Sequence, residues 1–179
     1  MALLSAAELP ANAVEQWKPL AAPRTVAVTR AVQVNECASV TGAVSWQQLG
    51  YVGAYQTPAE QDVFGFADDA AAHTAYQSLL TQMGSCQTQS RAVQTKAQVS
   101  ADAQVSQTAT TDQGTAWSRQ WTGVQGLSAA GPQTDHLFAV QHGKTLAVVH
   151  FDEWAGTSAA PYSTRSDGDL LTAVANRLG

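Results

Sequence analysis

The sequence predicts an α+β fold: a single antiparallel β-sheet flanked by helices, with a cleft between sheet and helices. Three observations predict it. Asp135–Gln141 and Thr145–Glu153 alternate around Gly143-Lys144, the strongest hairpin signal in the chain. Ala72, Tyr76, Leu79, Leu80 and Met83 recur at helical spacing behind an N-cap at Asp68 or Asp69. Hydrophobic residues make up 45% of 179 residues, enough to bury a core and fitting one domain over residues 1–179.

Taken in order, Leu3–Leu9 predicts a short helix or turn stopped by Pro10, and Pro19 and Pro23 bound a loop around Trp17. Extended character runs from Thr25 to Val28 and through Val32 and Val34. Trp46–Thr57 has the aromatic and β-branched content of a strand, with Gly50 and Gly53 marking a bulge or a close backbone approach. Pro58 predicts a turn, and Gln61–Phe66 the returning strand. A helix over about 68–83 follows, with Gly84 as its left-handed stop. Gln98–Thr110 alternates imperfectly; Thr115–Val124 alternates better, with Trp117, Arg119 and Trp121 on one face. Gly123–Thr134 reads as a polar loop before the hairpin. After Thr164 the pattern is a helix capped by Ser166 or Asp167, with Leu170, Leu171, Val174 and Leu178 as its apolar face.

Charge excludes several functions. Nine basic residues against fourteen acidic give a net charge of −5, without the basic stripe that a nucleic-acid partner or an anionic membrane surface requires. Charged residues are only 13% of the chain, so surface polarity falls to Gln, Thr, Ser and Asn, with Gln alone occurring 19 times. No run approaches the roughly 18–20 apolar residues of a membrane span. The N-terminal Met1-Ala2-Leu3-Leu4 lacks the basic and apolar regions of a signal peptide, as expected of a mature domain behind a start codon. Cys37 and Cys86 are the only cysteines. They read either as a reactive thiol or half of a metal site, or as one disulfide. Their position at element boundaries favours the disulfide, and with it an oxidising compartment.

No short motif of a nucleotide-binding, metal-protease, serine-hydrolase or calcium site occurs in the sequence. No metal site and no cofactor are expected. The hairpin register yields one candidate site. Pairing His142 with Thr145 sets Leu137 opposite His150 and Asp135 opposite Asp152, so alternation puts Asp135, His150 and Asp152 together at one end of an apolar face. Paired carboxylates beside a histidine suit proton transfer, and His and Asp are also plausible metal ligands; the plainer reading is strand ends emerging into water. His136 and His142, six residues apart on one strand, cannot share a metal. Trp117 and Trp121 around Arg119 form the second candidate. A guanidinium between indoles suits an anionic or carbohydrate-like ligand, whereas the plainer reading is two core tryptophans with Arg119 reaching out between them. Trp46, Tyr51, Tyr55 and Trp154 are assigned to packing.

Ala2-Leu3-Leu4-Ser5 through Leu9-Pro10, Cys37 after a polar extended run, the Trp46–Tyr55 strand with Val63-Phe64-Gly65-Phe66, the helix Ala70–Tyr76 leading to Cys86, and Phe138–Val149 together resemble the PknH-like extracellular sensor domains of actinobacteria. The low lysine content, three residues, with abundant Ala, Thr and Gln resembles their secreted domains. The resemblance spans nearly the whole chain through motifs of moderate specificity. It implies an antiparallel sheet with helices leaving a cleft, and a domain outside the cell, in a membrane-anchored kinase, a secreted protein or a lipoprotein, that senses a small-molecule ligand. Members often carry two disulfides; this chain matches one cysteine pair. The resulting expectation is a ligand-binding module lined by Trp117, Arg119, Trp121, Asp135, His150 and Asp152. The alternative is a small cofactor-free cyclase or hydrolase with Asp135, His150 and Asp152 as acid and base, and a third reading is a protein-interaction surface.

Overall fold

The hairpin signal around Gly143-Lys144 becomes the centre of the molecule. In the computed structural model, which describes residues 3–157 and 160–179, the chain runs through a 3-10 turn (Ala6–Glu8), α1 (Asn12–Glu15), β1 (Lys18–Pro19), β2 (Arg24–Ala27), β3 (Val32–Gln33), β4 (Ser39–Val40), β5 (Ser45–Val52) and β6 (Pro58–Gly65). Two helices follow, α2 (Asp69–Gly84) and α3 (Cys86–Lys96), and then β7 (Gln104–Thr110), β8 (Gly114–Gly123), β9 (Gly131–His142), β10 (Thr145–Trp154), a 3-10 turn (Thr164–Ser166) and α4 (Asp167–Leu178). Met1 and Ala2, where the N-terminal resemblance begins, lie outside the described residues.

Eight strands form one antiparallel sheet in the order β1-β5-β6-β10-β9-β8-β7, with β2 sharing the outer edge of β5. The fold is therefore α+β, with a small addition: β3 and β4 pair as a separate two-stranded ribbon. That ribbon exists because the Asn35 side-chain oxygen accepts the Cys37 and Ala38 amides at 2.8 and 2.7 Å, closing an Asx turn between the two short strands. Both faces of β9 and β10 are apolar because both are covered. Leu137, Ala139, Leu146 and Val148 pack with Phe64 and the α2 residues Ala72, Ala75, Leu79 and Met83. Phe138, Val140, Ala147, Val149 and Phe151 pack with the N-terminal segment and with Leu170, Leu171 and Val174 of α4. Three layers result, with the sheet in the middle.

The expected hairpin register is the observed one: Thr145 pairs with His142, Leu137 with His150, and Asp135 with Asp152. Gly143, at φ +52°, supplies the positive dihedral the two-residue turn needs. Asp68 caps α2 by accepting the Ala71 amide at 2.8 Å. Several boundaries differ from the sequence reading. Gly84 is the last residue of α2, is not in the left-handed region, and is followed almost at once by α3, which the sequence reading omits. The reason is composition: the residues α3 buries are Cys86, Ser90 and Gln94, a stripe invisible to hydrophobic periodicity. Helix α3 takes residues up to Lys96, so β7 begins at Gln104 rather than near Gln98. Strand β9 starts at Gly131 because its pairing with β8 extends to Gly123, shortening the expected loop. Gly50 pairs with Glu60 without a bulge, whereas Gly53 is a close approach: a Cβ there would lie 2.9 Å from Trp17 and 2.6 Å from the Thr57 hydroxyl. The turn precedes Pro58, which opens β6.

Candidate functional site

Strand alternation builds the site in two rows across the sheet face that α2 and α3 cover. In one row Arg119 of β8 stands opposite Asp135 of β9, which stands opposite Asp152 of β10. In the next, Trp117, Leu137, His150 and Glu60 follow one another across β8, β9, β10 and β6. These rows and the helices enclose a cleft of about 670 Å³ whose wall includes Met83, Trp117, Arg119, Asp135, Leu137, His150 and Asp152. The Asx turn at Asn35 lays Glu36 over it, and the Cys37–Cys86 disulfide ties that turn to the start of α3.

Arg119 is the electrostatic centre, and it is only 5% exposed. Its Nη2 donates to Glu36 Oε2 at 2.7 Å and to Asp135 Oδ2 at 2.6 Å. Nη1 donates to the Ser90 hydroxyl at 3.2 Å, and the guanidinium carbon lies 3.8 Å from the centroid of the Trp121 ring. Trp121 Nε1 also donates to Asp135 Oδ2, at 2.8 Å. Asp135 Oδ2 therefore collects three N–H groups, Arg119 Nε at 3.2 Å being the third, while Oδ1, also buried, has no hydrogen-bond partner among the described residues. Burial first, and the adjacent Asp135 charge second, push the Asp152 carboxyl up to about 8, so it holds its proton at neutral pH.

His150 faces a different pair. Its Nε2 lies 3.3 Å from Glu60 Oε1 and 3.6 Å from Asp62 Oδ2, both on β6. Burial opposes charge on the ring, but the adjacent Asp62 and Glu60 carboxylates outweigh it and hold the imidazolium up to about 10. Asp62 is buried and its Oδ1 accepts from Trp46 Nε1 at 2.7 Å.

Five of the six expected ligand-binding residues, Trp117, Arg119, Asp135, His150 and Asp152, line this one cleft. Trp121 does not: its NH reaches Asp135, but its ring lines a neighbouring cleft of about 780 Å³ together with Trp154, Tyr162, Glu15 and Glu153. The smaller cleft is preferred as the site because the buried charges converge there. Both tryptophans of the Trp-Arg-Trp set are buried, and Arg119 is buried with them rather than reaching to solvent. Its positive charge is met by two carboxylates, which removes the basis for an anionic ligand. Trp154, assigned to packing, is half-buried on the larger cleft, and its indole NH has no hydrogen-bond partner among the described residues.

Sequence reasoning missed Glu36, Met83, Ser90, Glu60 and Asp62. Glu36 had a usable signal, since it precedes a cysteine expected in a disulfide. Glu60 and Asp62 had none, because only the pairing of β6 with β10 across some 90 residues brings them to His150.

No family model matches this chain, and no curated protein matches it. Among solved structures, the crystal structure of the extracellular domain of PknH from Mycobacterium tuberculosis is similar, with a TM-score of 0.58 at 13% identity, over 99% of this chain and 90% of that one. Identity this low shows a shared fold. Among the described residues, no helix is long and apolar enough to cross a membrane.

Proposed function

We propose that residues 1–179 form one sensor-type domain, exported from the cell or held on its surface, that takes a small molecule into the cleft between the sheet and the α2–α3 helices. The observation that carries this reading is convergence: Trp117, Arg119, Asp135, His150 and Asp152, from three strands, wall a single cleft of about 670 Å³. That volume falls in the range of about 300–1,000 Å³ usual for ligand sites. The fold shared with the extracellular domain of PknH supports a place outside the cell, as does the Cys37–Cys86 disulfide, a bond that persists in oxidising compartments. With Arg119 matched by Glu36 and Asp135, the ligand class that fits is a neutral or cationic molecule with an apolar body against Trp117, Leu137 and Met83. The acid–base alternative gains no observation, since Asp135 is committed to Arg119 and Trp121, and His150 faces Glu60 and Asp62.

Native mass spectrometry of the oxidised protein, incubated with an extract of its host's culture, tests the proposal. The expected result is a retained adduct whose occupancy falls in Asp152→Leu. An extract that loses one component and gains another while the protein stays bare would overturn binding in favour of catalysis.

A further inference from the structure

At the border of the cleft the sheet carries a second convergence of side chains, which stands whether or not the cleft takes a small molecule. Glu60 and Asp62 occupy alternate positions of β6, and His150 on β10 is opposite Glu60, so the period of both strands turns all three to one face. One ligand atom from each lies within 4.8 Å of the other two. We infer that Glu60, Asp62 and His150 form a binding site for a divalent transition-metal cation of the Zn2+ type.

Three observations carry this. The first is spacing. A charge-assisted N–H···O contact closes to about 2.7–2.9 Å, yet His150 Nε2 stays 3.3 Å from Glu60 Oε1 and 3.6 Å from Asp62 Oδ2. A tetrahedral ion with bonds of about 2.0–2.2 Å holds its ligand atoms about 3.3–3.6 Å apart. The two His150 distances match that spacing, and the Glu60 and Asp62 ligand atoms lie within 4.8 Å of each other, so a small closure would seat all three on one ion. The second is an orphan: Asp62, with its side chain 1% exposed, has its Oδ2 buried and without a hydrogen bond among the described residues, its salt-bridge partner His150 standing 3.6 Å away. A buried carboxylate oxygen without a hydrogen bond is costly, and an ion seated between the three side chains would meet it directly. The third is the outer support. Trp46 Nε1 fixes Asp62 Oδ1 at 2.7 Å, the kind of hydrogen bond that orients a metal-ligating carboxylate.

The donor set selects the ion. One imidazole nitrogen with two carboxylate oxygens suits Zn2+ and its neighbours, whereas Ca2+ and Mg2+ take oxygen ligands. Three protein ligands leave a fourth position for water. The side chains of Glu60 and His150 are 29% and 26% exposed, which gives the ion an entry path and Glu60 room to close on it.

The test is calorimetric titration of chelator-treated, dialysed protein with ZnCl2 and, separately, CaCl2. The expected result is one equivalent of Zn2+ at micromolar affinity or tighter, no comparable Ca2+ uptake, and a loss of about tenfold or more in both Asp62→Asn and His150→Gln. His73→Gln and His142→Gln, on exposed histidines elsewhere, leave the affinity unchanged. Should Asp62→Asn fail to fold, His150→Gln decides, supported by the visible absorption of bound Co2+. No uptake overturns the inference, as does uptake that survives His150→Gln or disappears with either surface histidine.

Discussion

Arg119→Met tests the electrostatic centre most directly. Methionine keeps an apolar stem beside Trp121 but removes the guanidinium bonded to Glu36 and Asp135 at 2.7 and 2.6 Å. The side chains are 6%, 22% and 16% exposed, so the surviving carboxylates remain largely out of water. Breaking a buried ion pair from one side costs about 3–5 kcal/mol, because a stranded charge is left behind. The contact of the guanidinium with the Trp121 ring is worth about 1 kcal/mol more. Proton uptake by the stranded carboxylates returns part of this, so the expected loss is about 3 kcal/mol. In a chain of this size that lowers Tm by about 6–12 °C. The assay is urea unfolding followed by tryptophan fluorescence, with Arg119→Met, Asp135→Asn and the double variant in one cycle. The double variant strands fewer charges and is expected to lose clearly less than the sum of the single variants. A single-variant loss below about 1 kcal/mol, or strict additivity in the cycle, would refute the buried-centre argument.

Three further outcomes follow from the geometry. Joining residues 49 apart, the Cys37–Cys86 bond removes about 4 kcal/mol of unfolded-chain freedom, so Cys37→Ser is expected to lower Tm by several degrees and free one thiol; an unchanged Tm contradicts this. Gly53→Ala sets a Cβ against Trp17, Thr57 and Glu15 and should cost about 1–3 kcal/mol, whereas Gly84→Ala, in open space at the end of α2, should add up to about 1 kcal/mol in the same denaturant series. Side-chain and backbone hydrogen bonds from Thr122 lower the Asp102 carboxyl below its ordinary range. Its stabilisation is therefore present above about pH 4 and lost as pH falls through the lowered value. Melting curves of the parent and Asp102→Asn should differ at pH 6 and converge in strong acid; a gap that persists in acid removes Asp102 from the account.

The legible parts of this fold were those set by local rules. The β9–β10 register followed from one two-residue turn, and with it the placement of Asp135, Asp152 and His150 on a single face. Helix α2 was marked by its Asp68 cap and apolar stripe. What escaped was set by distant or polar contacts. Helix α3 buries Ser90 and Gln94, and Gln94 holds the Ala103 amide, the Thr122 carbonyl and Asp102, a role that no hydrophobic pattern announces. The partners of His150 were hidden for the same reason: β6 neighbours β10 only once the whole sheet is assembled.

That neighbour relation also makes β10 the seam of the sheet. β10, the last of the described strands, lies between β6 and β9, so without it the β5–β6 hairpin and the β7–β8–β9 meander share no strand pairing. Without β10 both halves would carry an open hydrogen-bonding edge, a template for strand exchange with another chain. A chain cut short before Thr145 is thus expected to associate rather than fold.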